Sequence, residues 1–125
     1  MYLVDTNILI TYFDGHIKIV ELLDDWMKER KLQLSCIVVA EFLVKAKLGE
    51  QKTLWKLIEQ FLIIYLDQQI LLKAVEIRKQ MISKNKRIVM LDCLIAATAI
   101  VNAWTLVTRN VRDFKSISGL KLKVV

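Results

Sequence analysis

Met-Tyr-Leu-Val-Asp-Thr-Asn, residues 1–7, runs from an apolar start into an acid and then two short polar side chains. Four apolar residues suffice for a short buried strand, and such a strand delivers Asp5 at its C-terminal end. In open α/β sheets that edge is where ligands bind. Thr6 and Asn7 are suited to cap a following helix or to exchange hydrogen bonds beside the acid. Asp5 therefore has two readings, a cap for a helix beginning at Ile8 and a functional carboxylate. The same pairing of an apolar element with an acid recurs at three later places.

The rest of the chain alternates between strand-like and helix-like segments. Ile8–Phe13 reads as a short apolar helix closed by the Asp14-Gly15 turn. Ile17, Val20, Leu23 and Met27, flanked by Ile19, Leu22 and Trp26, give a second helix its apolar face. Lys31–Cys36 alternates as a strand, with Leu32, Leu34 and Cys36 on one face. Ile37–Leu48 reads as an apolar helix stopped by Gly49, and Gln51–Leu62 as an amphipathic one built on Leu54, Trp55, Ile58, Phe61 and Leu62. Ile63–Leu66 reads as a short buried strand ending at Asp67. Ile70, Ala74, Ile77 and Met81 recur at helical spacing across Gln68–Ser83, and Leu91–Ile100 is apolar almost all round and hence central. Trp104–Val107 follows as a strand, Thr108–Phe114 as a polar turn, and Leu120–Val125 as a closing strand. This order predicts the α/β class, with a mostly parallel sheet covered by helices on both faces.

A length of 125 residues fits one domain spanning 1–125, and 55% hydrophobic residues supply a full core without staples. The 26% of charged residues excludes a disordered tail. The apolar run from Cys93 to Val107 is broken by Thr98, Asn102 and Thr105 and falls short of the ~20 residues of a membrane span, so no membrane role is expected. The N-terminus lacks the basic region and cleavage site of a signal peptide, which predicts a cytoplasmic protein. Two cysteines, Cys36 and Cys93, sit among apolar neighbours as core residues. His16 is the only histidine, which excludes a two-histidine acid–base mechanism. A net charge of +6 favours polyanionic partners.

Four acids stand out by position. Beside Asp5 there is Glu41, surrounded by Val38, Val39, Ala40, Phe42 and Leu43; it either pairs with Lys45 one turn on or requires a metal to be tolerated there. Asp92 opens the central helix, where the macrodipole favours an acid and a plain N-cap would account for it. Asp113 lies after the fourth strand. In a parallel sheet Asp5 and the Asp113 segment emerge at one edge, and helices returning there add Glu41 and Asp92. Four converging carboxylates without histidines or thiols call for a hard divalent cation, and magnesium or manganese fits an all-oxygen site where zinc does not. The basic tip Lys84-Asn85-Lys86-Arg87 reads equally as a solvated helix end and as an RNA contact.

Val-Asp-Thr-Asn at 4–7, Ala-Glu at 40–41, Asp-Cys-Leu-Ile-Ala-Ala-Thr-Ala at 92–99 and Leu-Val-Thr-Arg-Asn-Val-Arg-Asp-Phe at 106–114 resemble, in order and spacing, the PIN-domain nucleases, particularly the VapC-like toxins of prokaryotic toxin–antitoxin pairs. The resemblance implies a PIN-like three-layer α/β/α fold with a mostly parallel central sheet of four or five strands. It implies an endoribonuclease dependent on Mg2+ or Mn2+, with Asp5, Glu41, Asp92 and Asp113 as the catalytic, metal-holding quartet and Thr6, Asn7, Thr108 and Asn110 in support. A metal-activated water would attack, leaving 5′-phosphate and 3′-hydroxyl ends. An antitoxin that blocks the acidic pocket and a homodimer are also implied. Leu91 stands where relatives often carry proline, and the block around Glu41 is the loosest match. Lys45, Lys47, Arg109 and Arg112 flank the acids in sequence and are candidates for RNA backbone contacts, or plain solvated charges. Two rival readings are a receiver-like phosphoacceptor using Asp67, which lacks the second acid it would need beside Asp5, and a PIN-like module kept only for binding RNA or protein.

Overall fold

Tyr2–Val4 forms strand β1, and two of its three side chains are fully buried. The computed structural model describes residues 1–60 and 63–125. After β1 come helices α1 (Thr6–Phe13) and α2 (Ile17–Lys28), strand β2 (Leu32–Ser35), α3 (Cys36–Lys45), α4 (Leu48–Ile58) and β3 (Ile63–Ile64). The chain continues with α5 (Gln68–Ser83), α6 (Met90–Val101), β4 (Thr105–Thr108), α7 (Val111–Phe114) and β5 (Lys121–Val124). All strand pairs are parallel, and the sheet order is β3-β2-β1-β4-β5. The chain winds outward from β1 in one direction and then in the other. Right-handed crossovers accordingly put the helices of the two halves on opposite faces. The expected mostly parallel sheet is thus a five-stranded, fully parallel one.

Strand order reverses between β1 and β4, where Val4 pairs with Val107 and the Asp5 amide donates to the Val107 carbonyl at 2.9 Å. That is the switch point at which such sheets open a crevice beyond their C-terminal ends. Helix α6 carries an unbroken run of buried residues from Cys93 to Ala99, and its small alanines let α5 pack closely against it. The ring of Tyr2 stacks on Trp26 at 4.0 Å and ties α2 to the sheet. Edge strand β5 exposes Lys121 and Lys123, charges that discourage a further strand from pairing there.

Several segments depart from the pattern-based expectation. Helix α1 starts at Thr6, not Ile8, because Asp5 caps it. Helix α2 turns Ile19, Leu23 and Trp26 inward and leaves Ile17 72% exposed, so its apolar face is rotated from the expected stripe. Gly49 does not stop α3; the chain turns extended at Ala46 and Lys47, and Gly49 lies in the first turn of α4. That junction is held from α4, where Glu50 accepts from the Lys47 amide at 3.3 Å and Gln51 donates to the Ala46 carbonyl at 3.1 Å. Strand β3 is two residues long, and Tyr65 and Leu66, expected to be buried in it, are exposed. Phe61 and Leu62, expected on the apolar side of the preceding helix, lie outside the described residues. Thr108 belongs to β4, and the polar turn after it contains α7. Among the described residues no helix is long and apolar enough to cross a membrane.

Ser35 ends β2 and caps α3, its fully buried hydroxyl accepting from the Val38 amide at 3.2 Å. Replacing Ser35 with alanine leaves that amide unpaired in the interior. Denaturant unfolding of Ser35→Ala is expected to show a loss of about 1–2 kcal/mol, with the m-value unchanged.

Candidate active site

Asp5 leaves β1 as a buried carboxylate, 6% exposed. Its two oxygens have separate jobs. Oδ1 accepts from the Thr6 amide at 2.8 Å, within the N-terminal turn of α1, and Oδ2 accepts from the Thr108 hydroxyl at 2.8 Å, across the switch point. The cap and the functional carboxylate are therefore compatible readings of one residue. Burial pushes the Asp5 acid up, the bonds from Thr108 and Thr6 pull it back down, and the charge of Asp113 adds a smaller upward push.

From that pair a chain of hydrogen bonds runs both ways. On one side the Thr6 hydroxyl donates to Glu41 Oε1 at 2.9 Å, tying α1 to the half-buried acid of α3. Glu41 has that threonine as its partner, and its bland pairing with Lys45 is not formed. On the other side the Asn110 amide donates to Thr108 Oγ1 at 2.9 Å, and Asn110 Nδ2 donates to Asp113 Oδ2 at 2.5 Å. Thr6, Thr108 and Asn110 thus connect three of the four acids. Asn7, in the same first turn of α1, buries its Oδ1 with no partner among the described residues.

Asp92 is different. It is the third residue of α6, whose N-cap is Val89, so it is not the cap that its place at the helix start suggested. Burial raises its carboxyl to about 6, and the charges of Asp5, Asp113 and Glu41 all push the same way. An acid that feels all three others belongs to one electrostatic cluster with them. Among the described residues, however, no three acidic, histidine or cysteine side chains stand close enough to grip a single ion together. Two causes are visible: like charges repel, and the protein's own donors hold Asp5, Glu41 and Asp113. The donor set is nonetheless oxygen throughout and carries no lysine or arginine bridge among the described residues, and the orphaned Asn7 oxygen adds a further acceptor. These features fit a hard cation of the magnesium or manganese kind.

The remaining candidates separate. Arg112 borders the acids, lining a cleft with Asp113, Lys86 and Arg87. Lys45 and Lys47 line a different cleft beside Asp14 and Glu50, and Arg109 is exposed. Asp67, the rival phosphoacceptor, caps α5 by accepting from the Ile70 amide at 2.8 Å. His16 is exposed at the start of α2. Sequence reasoning overlooked Arg78, which lines a cleft with Asp92, and a polar residue on the flank of α5 gave no signal of that proximity.

Comparison with known proteins matches residues 2–120 to the PIN domain family. A protein named ribonuclease VapC10, from Mycobacterium tuberculosis, is 30% identical over 97% of this chain and 91% of its own length. Ribonuclease VapC1 from Methanocaldococcus jannaschii is 28% identical over 98% of this chain and 85% of its own. Among solved structures, that of VapBC2 from Rickettsia felis bound to a promoter DNA fragment superposes with a TM-score of 0.87 at 29% identity, covering 99% of this chain and 98% of that one. A toxin–antitoxin complex from Klebsiella pneumoniae gives 0.78 at 30% identity, covering 100% and 96%.

The Asp92 carboxyl binds its proton more tightly in the folded chain, near 6, than at its ordinary 3.8. Its ionisation therefore removes stability as pH rises through that interval. In chelator at pH 7.5, Asp92→Asn is expected to melt about 3–6 °C above wild type. The gap closes steadily as the pH is lowered below 6. A variant that melts lower than wild type in chelator would show that Asp92 is not the strained member.

Proposed function

Because the chain belongs to the PIN-domain family, we propose that it is the endoribonuclease toxin of a toxin–antitoxin pair, cutting RNA at Asp5, Glu41, Asp92 and Asp113 with magnesium or manganese. The observation that carries this reading is the environment of Asp92, an acid held among three other acids with no basic partner among the described residues. Such a cluster destabilises the protein by itself, and a divalent cation relieves it.

Asp5, Asp92 and Asp113 would hold the cation, and Glu41 would hold a second one or orient water. When bound, the cation supplies Lewis acidity to water and to the phosphoryl oxygens. The chain's own groups do the positioning. Thr108 and the Thr6 amide fix both oxygens of Asp5, Asn110 steadies Asp113, and the Thr6 hydroxyl orients Glu41. With a single histidine, exposed at the start of α2, no pair of imidazoles is available for acid–base transfer at the ribose 2′-hydroxyl, which favours hydrolysis to 5′-phosphate and 3′-hydroxyl ends. A separate antitoxin protein covering the acids completes the reading, supported by the toxin–antitoxin complexes among the structural relatives; a homodimer acting in the cytoplasm is proposed with it.

Purified wild type is expected to cleave RNA in magnesium and to stop in chelator, with Asp92→Asn slower by roughly a hundredfold or more. Fragments with 2′,3′-cyclic phosphate ends would contradict the route. Thr108→Val removes a bond to Asp5 without touching the acids, and a loss of about 10–100-fold in cleavage or metal affinity is expected. Cleavage that proceeds unchanged in chelator would remove the cation from the account.

A further inference from the structure

The acid cluster adjoins two neighbouring clefts of about 440 and 470 Å³. The first carries Asp92 and Asp113 together with Arg78, Lys86 and Arg87; the second shares Asp113, Lys86 and Arg87 and adds Arg112 and Lys115. Five cations thus arrive from three segments, the flank of α5, the tip that follows it, and α7 with its C-cap. Among the described residues none of the five is bridged to a carboxylate. The tip is anchored over the far wall, since Lys86 Nζ donates to the Ser116 hydroxyl at 2.6 Å. Ile82 and Val89, 58% and 61% exposed, put apolar surface into the first cleft beside the charges.

On the reading that this chain cuts RNA, we propose that these clefts are the subsite that grips the substrate's backbone on one side of the scissile phosphate, with Arg78, Lys86, Arg87 and Arg112 as its phosphate contacts. A phosphodiester placed at Asp92 and Asp113 must continue along a flank, and this flank is positive. A positively charged groove that tracks the backbone is the sequence-independent part of single-strand binding. The cleft at Lys45 and Lys47 differs in its charge and in its lining. Asp14 and Glu50 offset its charge, and none of the four acids lines it.

The test measures binding of a single-stranded RNA of about ten nucleotides by fluorescence anisotropy, using Asp92→Asn to prevent cutting. Adding Arg78→Gln and Arg87→Gln is expected to weaken binding about tenfold and to flatten the plot of log Kd against log salt by about 1.4, at roughly 0.7 per lost contact. Adding Lys45→Gln and Lys47→Gln instead changes Kd less than about twofold. Equal losses from both pairs, or none from the arginine pair, overturn the subsite. So does lost affinity for polyglutamate with RNA binding intact, which assigns the clefts to an acidic protein partner. Wild type that never cleaves RNA while the arginine pair still weakens RNA binding would sink the nuclease reading and leave the subsite standing.

Discussion

The bond between the Thr108 hydroxyl and the Asp5 carboxylate joins the ends of the two central strands across the point where the sheet reverses its winding. A carboxylate that is nearly inaccessible to water needs partners for both oxygens, and only a β1–β4 register that brings Thr108 opposite the end of β1 supplies the second one. The same register sets where α1 begins and where the Asn110–Asp113 segment leaves the sheet. Elements from both halves of the fold then meet beyond the short first strand, which is why α3 can bring Glu41 and α6 can bring Asp92 to one place.

The site has an internal asymmetry. Asp5, Glu41 and Asp113 are each held by a threonine or asparagine side chain, so their geometry is set before any ligand arrives. Asp92 projects from the first turn of the best-buried helix, where the helix dipole favours its charge but three neighbours oppose it. The rigid part of the cluster is thus organised around a member whose charge the protein does not compensate. This is strain of the kind a functional site retains at the cost of stability.

Much of this was legible in the residues themselves. Apolar runs marked β1, β2 and β4, the alternation with helices pointed to a parallel sheet, and acids placed after those elements pointed to one edge. What failed were features decided by tertiary packing. Helix α2 carries apolar residues on two stripes, and only its seat against Tyr2 selects the one with Trp26. Gly49 looked like a stop, yet the break before it is made by Glu50 and Gln51 reaching back from the next helix. At the site, the acids could be named from their order, but the link from Thr6 to Glu41 spans thirty-five residues and leaves no local trace. The nearness of Arg78 and Arg87 to Asp92 likewise depends on how the end of α5 lies against α6.

The strand order has a further consequence, in time. Every connection in a fully parallel sheet is non-local, and its centre here is completed by β4, with Asp113 following five residues after that strand. At a synthesis rate of about 5–20 residues per second, roughly 5–22 seconds separate Asp5 from Asp113 in a nascent chain. A growing polypeptide therefore carries its first acids for seconds before the last one exists to join them.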